Sequence, residues 1–229
     1  MDWQAIALTA RLSASTAALL FFIGLPLAHW LATTKVRWRV FVEAIVALPL
    51  VLPPTVIGFY ILVALGPKSP LGRFWEGRFD AQLPFSFTGL LIASVLYSLP
   101  FAVQPFTAAL RSVDKNLIEA AQSIGAPPLR AFWQITIPLC WPGILAGLVL
   151  SFAHTLGEFG VVLMVGGNIP GVTRTVSISI YDSVQSLDYE SAARTSLFLL
   201  FISFLILSVV YSLQKQLRIG MPDDANKPS

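Results

Sequence analysis

Five long stretches with almost no charge follow one another along this chain, and they constrain its fold more than any other feature. They run from Leu12 to Ala32, Ala44 to Leu65, Phe85 to Ala109, Pro142 to Leu163 and Thr195 to Gln214. A helix needs about 20 predominantly apolar residues to cross the hydrocarbon core of a bilayer, and each stretch has that length. Backbone donors and acceptors in lipid must be satisfied within the segment, so each stretch is expected to be helical. Composition agrees, since 55% of the 229 residues are hydrophobic and only 12% are charged, with a mean hydropathy of +0.74. A soluble domain carries about 25% charged residues. The expectation is therefore an all-α, polytopic membrane helical bundle forming a single domain over residues 1–229.

The first stretch lies behind Arg11 near the amino terminus, where a secretory signal would also lie. It is longer than a typical signal core and has no small-x-small cleavage site before Lys35, so it reads as a retained span. Five spans place the termini on opposite sides. With the amino terminus outside, the inner segments hold Lys35, Arg37, Arg39, Arg111, Lys115, Arg130, Lys215, Arg218 and Lys227. The outer segments hold Arg11, Lys68, Arg73, Arg78, Arg174 and Arg194, and the inner excess agrees with the positive-inside rule.

Several function classes find little support. The net charge of +3 comes without any Lys or Arg run interleaved with aromatics, so nucleic acid is not an expected partner. Cys140, the single cysteine, forms no internal disulfide and has no ligand neighbour; it reads as a small apolar filler. His29 and His154 lie in different spans without a carboxylate at helical spacing, and both read as hydrogen-bonded interior residues rather than metal ligands. No HExxH pair, no serine with an evident histidine base and no Walker A loop is present, so no catalytic residue, metal or cofactor is expected. An intramembrane enzyme whose base comes from a distant span, and a membrane scaffold, remain the alternatives from other classes.

Pro49, Pro53 and Pro54 interrupt the second stretch, where each removes a backbone donor and crowds the preceding turn. A straight helix is not expected there, and the break suits either a helix lining a pathway or a kink that shapes packing. The loop of residues 111–138 is only partly polar. Asp114 is placed to cap a short helix with Leu117, Ile118, Ala121 and Ile124 on one face, Gly125 ends it, and Pro127 and Pro128 prevent its continuation. A second short helix is expected from Leu129 to Ile137, ending at Pro138.

Glu119-Ala120-Ala121, Gly125, Ile135 and Ile137-Pro138 resemble the EAA loop of ABC importer permeases, with Ile137 where that family usually has Leu. The resemblance implies the type I ABC importer permease fold and a coupling role for Glu119, Ala120, Ala121, Gly125, Ile135 and Pro138, docked against a separate ATPase. It also implies a pathway between two copies of the chain in the inner membrane, two ATP-binding cassette subunits on the cytoplasmic side and a periplasmic or lipid-anchored oxyanion-binding protein outside. An amphipathic helix on lipid headgroups is the bland reading of the same loop.

Two further segments narrow the resemblance. Leu48-Pro-Leu-Val-Leu-Pro-Pro54, and Thr155-Leu-Gly-Glu-Phe-Gly160 followed by Gly167-Asn-Ile-Pro-Gly171 and Thr173-Arg174-Thr175, look like the molybdate permease subunits, with related versions in sulfate and thiosulfate permeases. Tungstate is not separable from molybdate on these residues. The pathway or gate candidates are Pro53, Pro54, Thr155, Gly157, Glu158, Phe159, Asn168 and Arg174. A carboxylate would repel a dianion in a low-dielectric passage, so Glu158 is expected to pair with a cation such as Arg174 or Arg11, or to cap backbone donors. Arg174 either steers the anion or is a solvated loop residue. The segment Val172 to Val184 has the look of a short outer helix.

Overall fold

Asp2 opens the first helix, its carboxylate accepting a hydrogen bond from the Ala5 backbone N–H at 3.0 Å, and α1 then runs from Trp3 to Thr33. It begins nine residues before the charge-free stretch that was expected to define it. Arg11 does not end it because the guanidinium lies over the Phe87 ring, 4.3 Å from its centroid, and a cation on an aromatic face is partly compensated for its lost water. The computed structural model describes residues 1–219; Lys227, assigned to the inner side above, lies outside the described residues.

The second stretch is two helices, α2 (Arg39–Val51) and α3 (Pro54–Leu65), bent by 115°. Pro53 is the N-cap and Pro54 the first residue of α3, where a missing N–H costs no hydrogen bond. Pro49, expected to contribute to the break, lies inside α2; the break belongs to the Pro53-Pro54 pair. After a short helix α4 (Pro70–Phe79), α5 runs from Phe87 to Arg111. It starts two residues later than expected because Ser86 is the cap, accepting from Gly89 N–H at 3.1 Å.

The loop helix α6 spans Lys115–Ser123. Beyond it α7 (Pro128–Ala131) passes through a π-helical turn, Phe132–Thr136, directly into α8 (Ile137–Gly157). The chain neither stops at Pro138 nor starts afresh at Pro142; both prolines lie within one helical run. The π turn widens the backbone just before Pro138, where an α-helical carbonyl would meet the ring. The expected fourth span, 142–163, is instead cut after Gly157. There Glu158 is extended, and α9 (Gly160–Gly166) starts in a new direction. The short helix α10 (Val176–Gln185) follows, then α11 (Tyr189–Ile219), whose first turn is capped by Asp188 accepting from Ser191 N–H at 3.1 Å.

Among the described residues four helical runs are long and apolar enough to cross a membrane, and the bent α2–α3 pair makes five if it counts as one span. α5 occupies the centre, packed against both α1 and α8. It runs parallel to α1: Leu12 clusters with Leu90, Gly24 faces Val103 and Phe106, and the Arg111 guanidinium donates to the Leu31 carbonyl at 3.1 Å. α8 is antiparallel to α5 and approaches closely through Gly143 and Gly147. A β-carbon on Gly147 would lie 2.7 Å from the Phe106 ring, and one on Gly143 would lie 2.5 Å from Ala109 Cβ. This is the small-xxx-small approach that close packing uses where lipid removes the hydrophobic drive between helices.

Candidate functional site

The candidate coupling residues lie at the end of the bundle where α5 finishes. The Asp114 carboxylate accepts from Asn116 N–H at 2.9 Å and starts α6. At the other end the Gly125 N–H donates to Gln122 O at 2.9 Å and the Ala126 N–H to Ala121 O at 3.0 Å. That pair is the Schellman closure, and it requires the left-handed backbone that Gly125 adopts, with φ +90°. α6 has no buried residue: Glu119 and Ala120 are exposed, Ala121 is half-buried, and Ile124 is 88% exposed. Behind it lies a cleft of 540 Å³ lined by Glu119, Lys115, Ile118, Gln122 and Arg111. Ile135 is half-buried in the π turn and Pro138 is exposed. The structure thus gathers Glu119, Ala120, Ala121 and Gly125 on one projecting helix and places Ile135 and Pro138 at the root of α8.

Arg111 sets the base of this projection. Its guanidinium donates to Glu43 Oε1 on α2 at 2.7 Å as well as to the α1 carbonyl, and Arg39 lies 3.5 Å from the same carboxylate. Three helices are tied together at the point where the chain leaves for α6.

The pathway candidates separate into two groups. Thr155, Gly157, Glu158 and Phe159 form the break between α8 and α9, and Pro54 packs on Gly160 directly after it, where a β-carbon would come within 2.7 Å of the proline ring; Pro53 lies at the corresponding break before α3. Gly157 is exposed, with no heavy atom close to where a β-carbon would be. Thr155 is buried, donating to Ser151 O at 3.0 Å and lying 2.9 Å from the Ser98 hydroxyl. Ser98 also meets His154 Nδ1 at 2.9 Å, and Phe101 stacks on that imidazole with centroids 3.9 Å apart.

Glu158 is 4% exposed, and neither carboxylate oxygen accepts a protein hydrogen bond within 3.5 Å. The Ser94 hydroxyl faces it. The expected cation or backbone partner is not there. Arg11 is on Phe87, while Arg174 donates to Asn168 Oδ1 at 2.6 Å and lies 3.5 Å from Asp182 and 3.9 Å from Asp2. Arg174 and Asn168 are therefore together at the end of the bundle away from α6, in a network whose two carboxylates offset the guanidinium charge. α10 connects the groups: Tyr181 meets Phe159 with centroids 5.0 Å apart, and its neighbour Asp182 holds Arg174.

Sequence reasoning missed Ser94, Ser98 and Ser151. Their signal was present as hydroxyls four residues apart, which share a helix face, on two otherwise apolar helices. His154 is bonded as expected, whereas His29 Nδ1 has no partner and its ring abuts Phe132 with centroids 4.7 Å apart. Cys140 is buried, its thiol donating to Ala109 O at 3.2 Å. Among the described residues no group of three His, Cys, Asp or Glu side chains is placed to hold a metal ion.

The comparisons with known proteins agree with this architecture. The chain is 46% identical over 211 residues to the molybdenum transport system permease protein ModB of Azotobacter vinelandii, covering 92% of this chain and 93% of that protein. It is 36% identical over 223 residues to the ModB protein of Haemophilus influenzae, covering 94% and 97%. A solved bacterial ABC transporter involved in import of the acidic polysaccharide alginate superposes with a TM-score of 0.75 at 20% identity, covering 93% of this chain and 78% of that one, which shows a shared fold. The family model described as binding-protein-dependent transport system inner membrane component matches residues 21–219, and the chain belongs to that family.

Proposed function

We propose that this chain is the membrane-spanning permease subunit of an ATP-driven importer of molybdate, working by alternating access. The observation that carries the mechanism is α6, a capped helix with no buried residue that projects from between two long apolar helices. A short helix with exposed Leu117 and Ile124 is ready to be covered by another protein. In this reading an ATPase subunit on the cytoplasmic side takes it up, with Glu119, Ala120, Ala121 and Gly125 at the contact. Ile135 and Pro138 pass the movement into α8, and Arg111 and Glu43 pass it to α1 and α2. Two copies of the chain enclose the passage, and a binding protein delivers the anion on the outer side, near Asn168 and Arg174. Because two carboxylates offset Arg174, it is assigned to holding the outer loop rather than to capturing substrate. Thr155, Gly157, Glu158 and Phe159, with Pro53 and Pro54 against them, form a hinge between α8 and α9. The molybdate assignment rests on the 46% identity to a molybdenum permease.

The test is uptake by the complete complex reconstituted in vesicles, with labelled molybdate and excess tungstate or sulfate as competitors. ATP-dependent molybdate uptake that tungstate suppresses and sulfate leaves unchanged is the expected outcome. Preferred uptake of sulfate would transfer the chain to the sulfate or thiosulfate systems. In the same vesicles Gly125→Val should abolish uptake and loosen the ATPase while the permease stays in the membrane, because its φ of +90° costs a β-branched residue about 1–2 kcal/mol.

A further inference from the structure

Two clefts beside α5 belong neither to the coupling helix nor to the α8–α9 break, and they share Gln104 and Ala108. One, of 360 Å³, lies between α2 and α5 and ends at Glu43 and Arg111. The other, of 320 Å³, continues past Leu50 and Phe101 to Leu150 on α8. Joined at Gln104, they make one furrow along the exposed side of α5.

Gln104 is exposed, and among the described residues it is the one amide side chain in the middle of a long apolar helix. It lies seven residues before the end of α5 at Arg111, which is about 10 Å along the helix axis and inside hydrocarbon depth. An amide facing lipid leaves donors and an acceptor unpaired at a cost of several kcal/mol. The same stretch holds Pro100 and Pro105, which cannot donate to the carbonyls of Leu96 and Phe101 one turn earlier. By contrast, the exposed side of α11 carries the large apolar side chains Leu197, Leu200, Phe201 and Phe204. The furrow thus sets one amide and the freed carbonyls of a proline-containing helix among largely apolar walls.

We infer that this furrow is the chain's own wall of the oxyanion passage, facing its counterpart on a second copy, and that the Gln104 amide donates a hydrogen bond to the tetrahedral oxyanion there. The inference rests on the function proposed above and gives that passage a residue. A neutral amide suits a conducting site, because it offers N–H donors to the anion's oxygens without the charge that would trap a dianion. At the inner end of the furrow Arg111 is held by Glu43 at 2.7 Å, so the cation is offset there too.

The test uses the full complex in vesicles with Cys140→Ala as background, so that the native thiol does not interfere. Gln104→Cys and Phe204→Cys are compared for reaction with a small water-soluble thiol reagent. Labelling is expected at position 104 and slowed by oxyanion, with none at position 204; equal labelling at the two positions, or labelling at 104 that oxyanion leaves unchanged, overturns the assignment. Gln104→Leu should lower uptake about tenfold, the loss of one hydrogen bond to a charged group, while ATPase stimulation by the binding protein persists. Uptake at the parental rate in Gln104→Leu overturns it equally. The comparison of positions 104 and 204 in reagent alone reads the furrow whichever anion the parent complex carries. A parent complex that imports no oxyanion fails the proposed function, whereas a parent that imports oxyanion but leaves labelling at 104 unchanged fails the furrow alone.

Discussion

Glu158 is buried at a helix break with no cation beside it, and this determines what its replacement should do. An unpaired carboxylate in a dry site pays desolvation that no partner returns, whereas a neutral amide of the same shape can donate to Ser94 and keeps the break filled. Glu158→Gln is therefore expected to leave the thermal stability of the purified permease unchanged or to raise it by about 1 kcal/mol. Glu158→Lys, a longer cation in the same enclosed space, should lower it by about 3 kcal/mol or more. A marked loss of stability in Glu158→Gln, read by thermal unfolding in detergent, would mean that the carboxylate holds a partner through its charge. The Thr155 hydroxyl, bonded to both Ser98 and Ser151, anchors the turn before the break, and α8 stays helical up to Gly157.

Helix-scale packing brings α5 and α8 close together, and glycine makes the approach possible. Gly147→Leu drives side-chain atoms into the Phe106 ring and the Ala102 carbonyl, 2.7 and 3.0 Å from the position of the first added carbon. It should cost about 1–3 kcal/mol. Gly77→Ala in α4 has no atom within 4 Å of its new methyl and should gain about 0.5–1 kcal/mol from helix propensity. Opposite shifts of the two melting temperatures check the crossing; equal shifts would remove it. Much of this level was readable beforehand. Asp114 and Gly125 bound α6 as expected, because caps and left-handed glycines act within a few residues. The charge-free stretches found the long helices but misjudged their ends wherever a distant partner intervened. Arg11 continues α1 only because Phe87 receives it, and Pro142 fails to start a helix because the π turn carries the chain past Pro138. The motif residues marked α6 and the segment after α8 as places of interest, but not the cut after Gly157, while the Ser98–Thr155 contact and the Arg111–Glu43 pair depend on helix register, which no local pattern contains.

The whole molecule has two chemically distinct ends, and which of them faces the cytoplasm decides whether the coupling assignment holds. At one end Asp2, Asn168, Arg174 and Asp182 join α1 to the outer loop and α10; at the other Arg111 and Glu43 brace the root of α6. The cation tally is nine to six for the α6 end, and Lys215, Arg218 and Lys227 at the carboxyl terminus supply the whole excess. A bias resting on one tail constrains orientation less than the energy source does. In the proposed coupling role α6 receives work from ATP hydrolysed in the cytoplasm and must emerge there, so the amino terminus is expected outside. In intact cells carrying Cys140→Ala, Lys68→Cys should react with a membrane-impermeant maleimide, and Lys115→Cys should react only after the membrane is opened. Both lysines are exposed on the molecule, so burial does not confuse the result. The reverse pattern would set α6 across the membrane from any nucleotide, and Glu119 to Gly125 would then have no ATPase to meet.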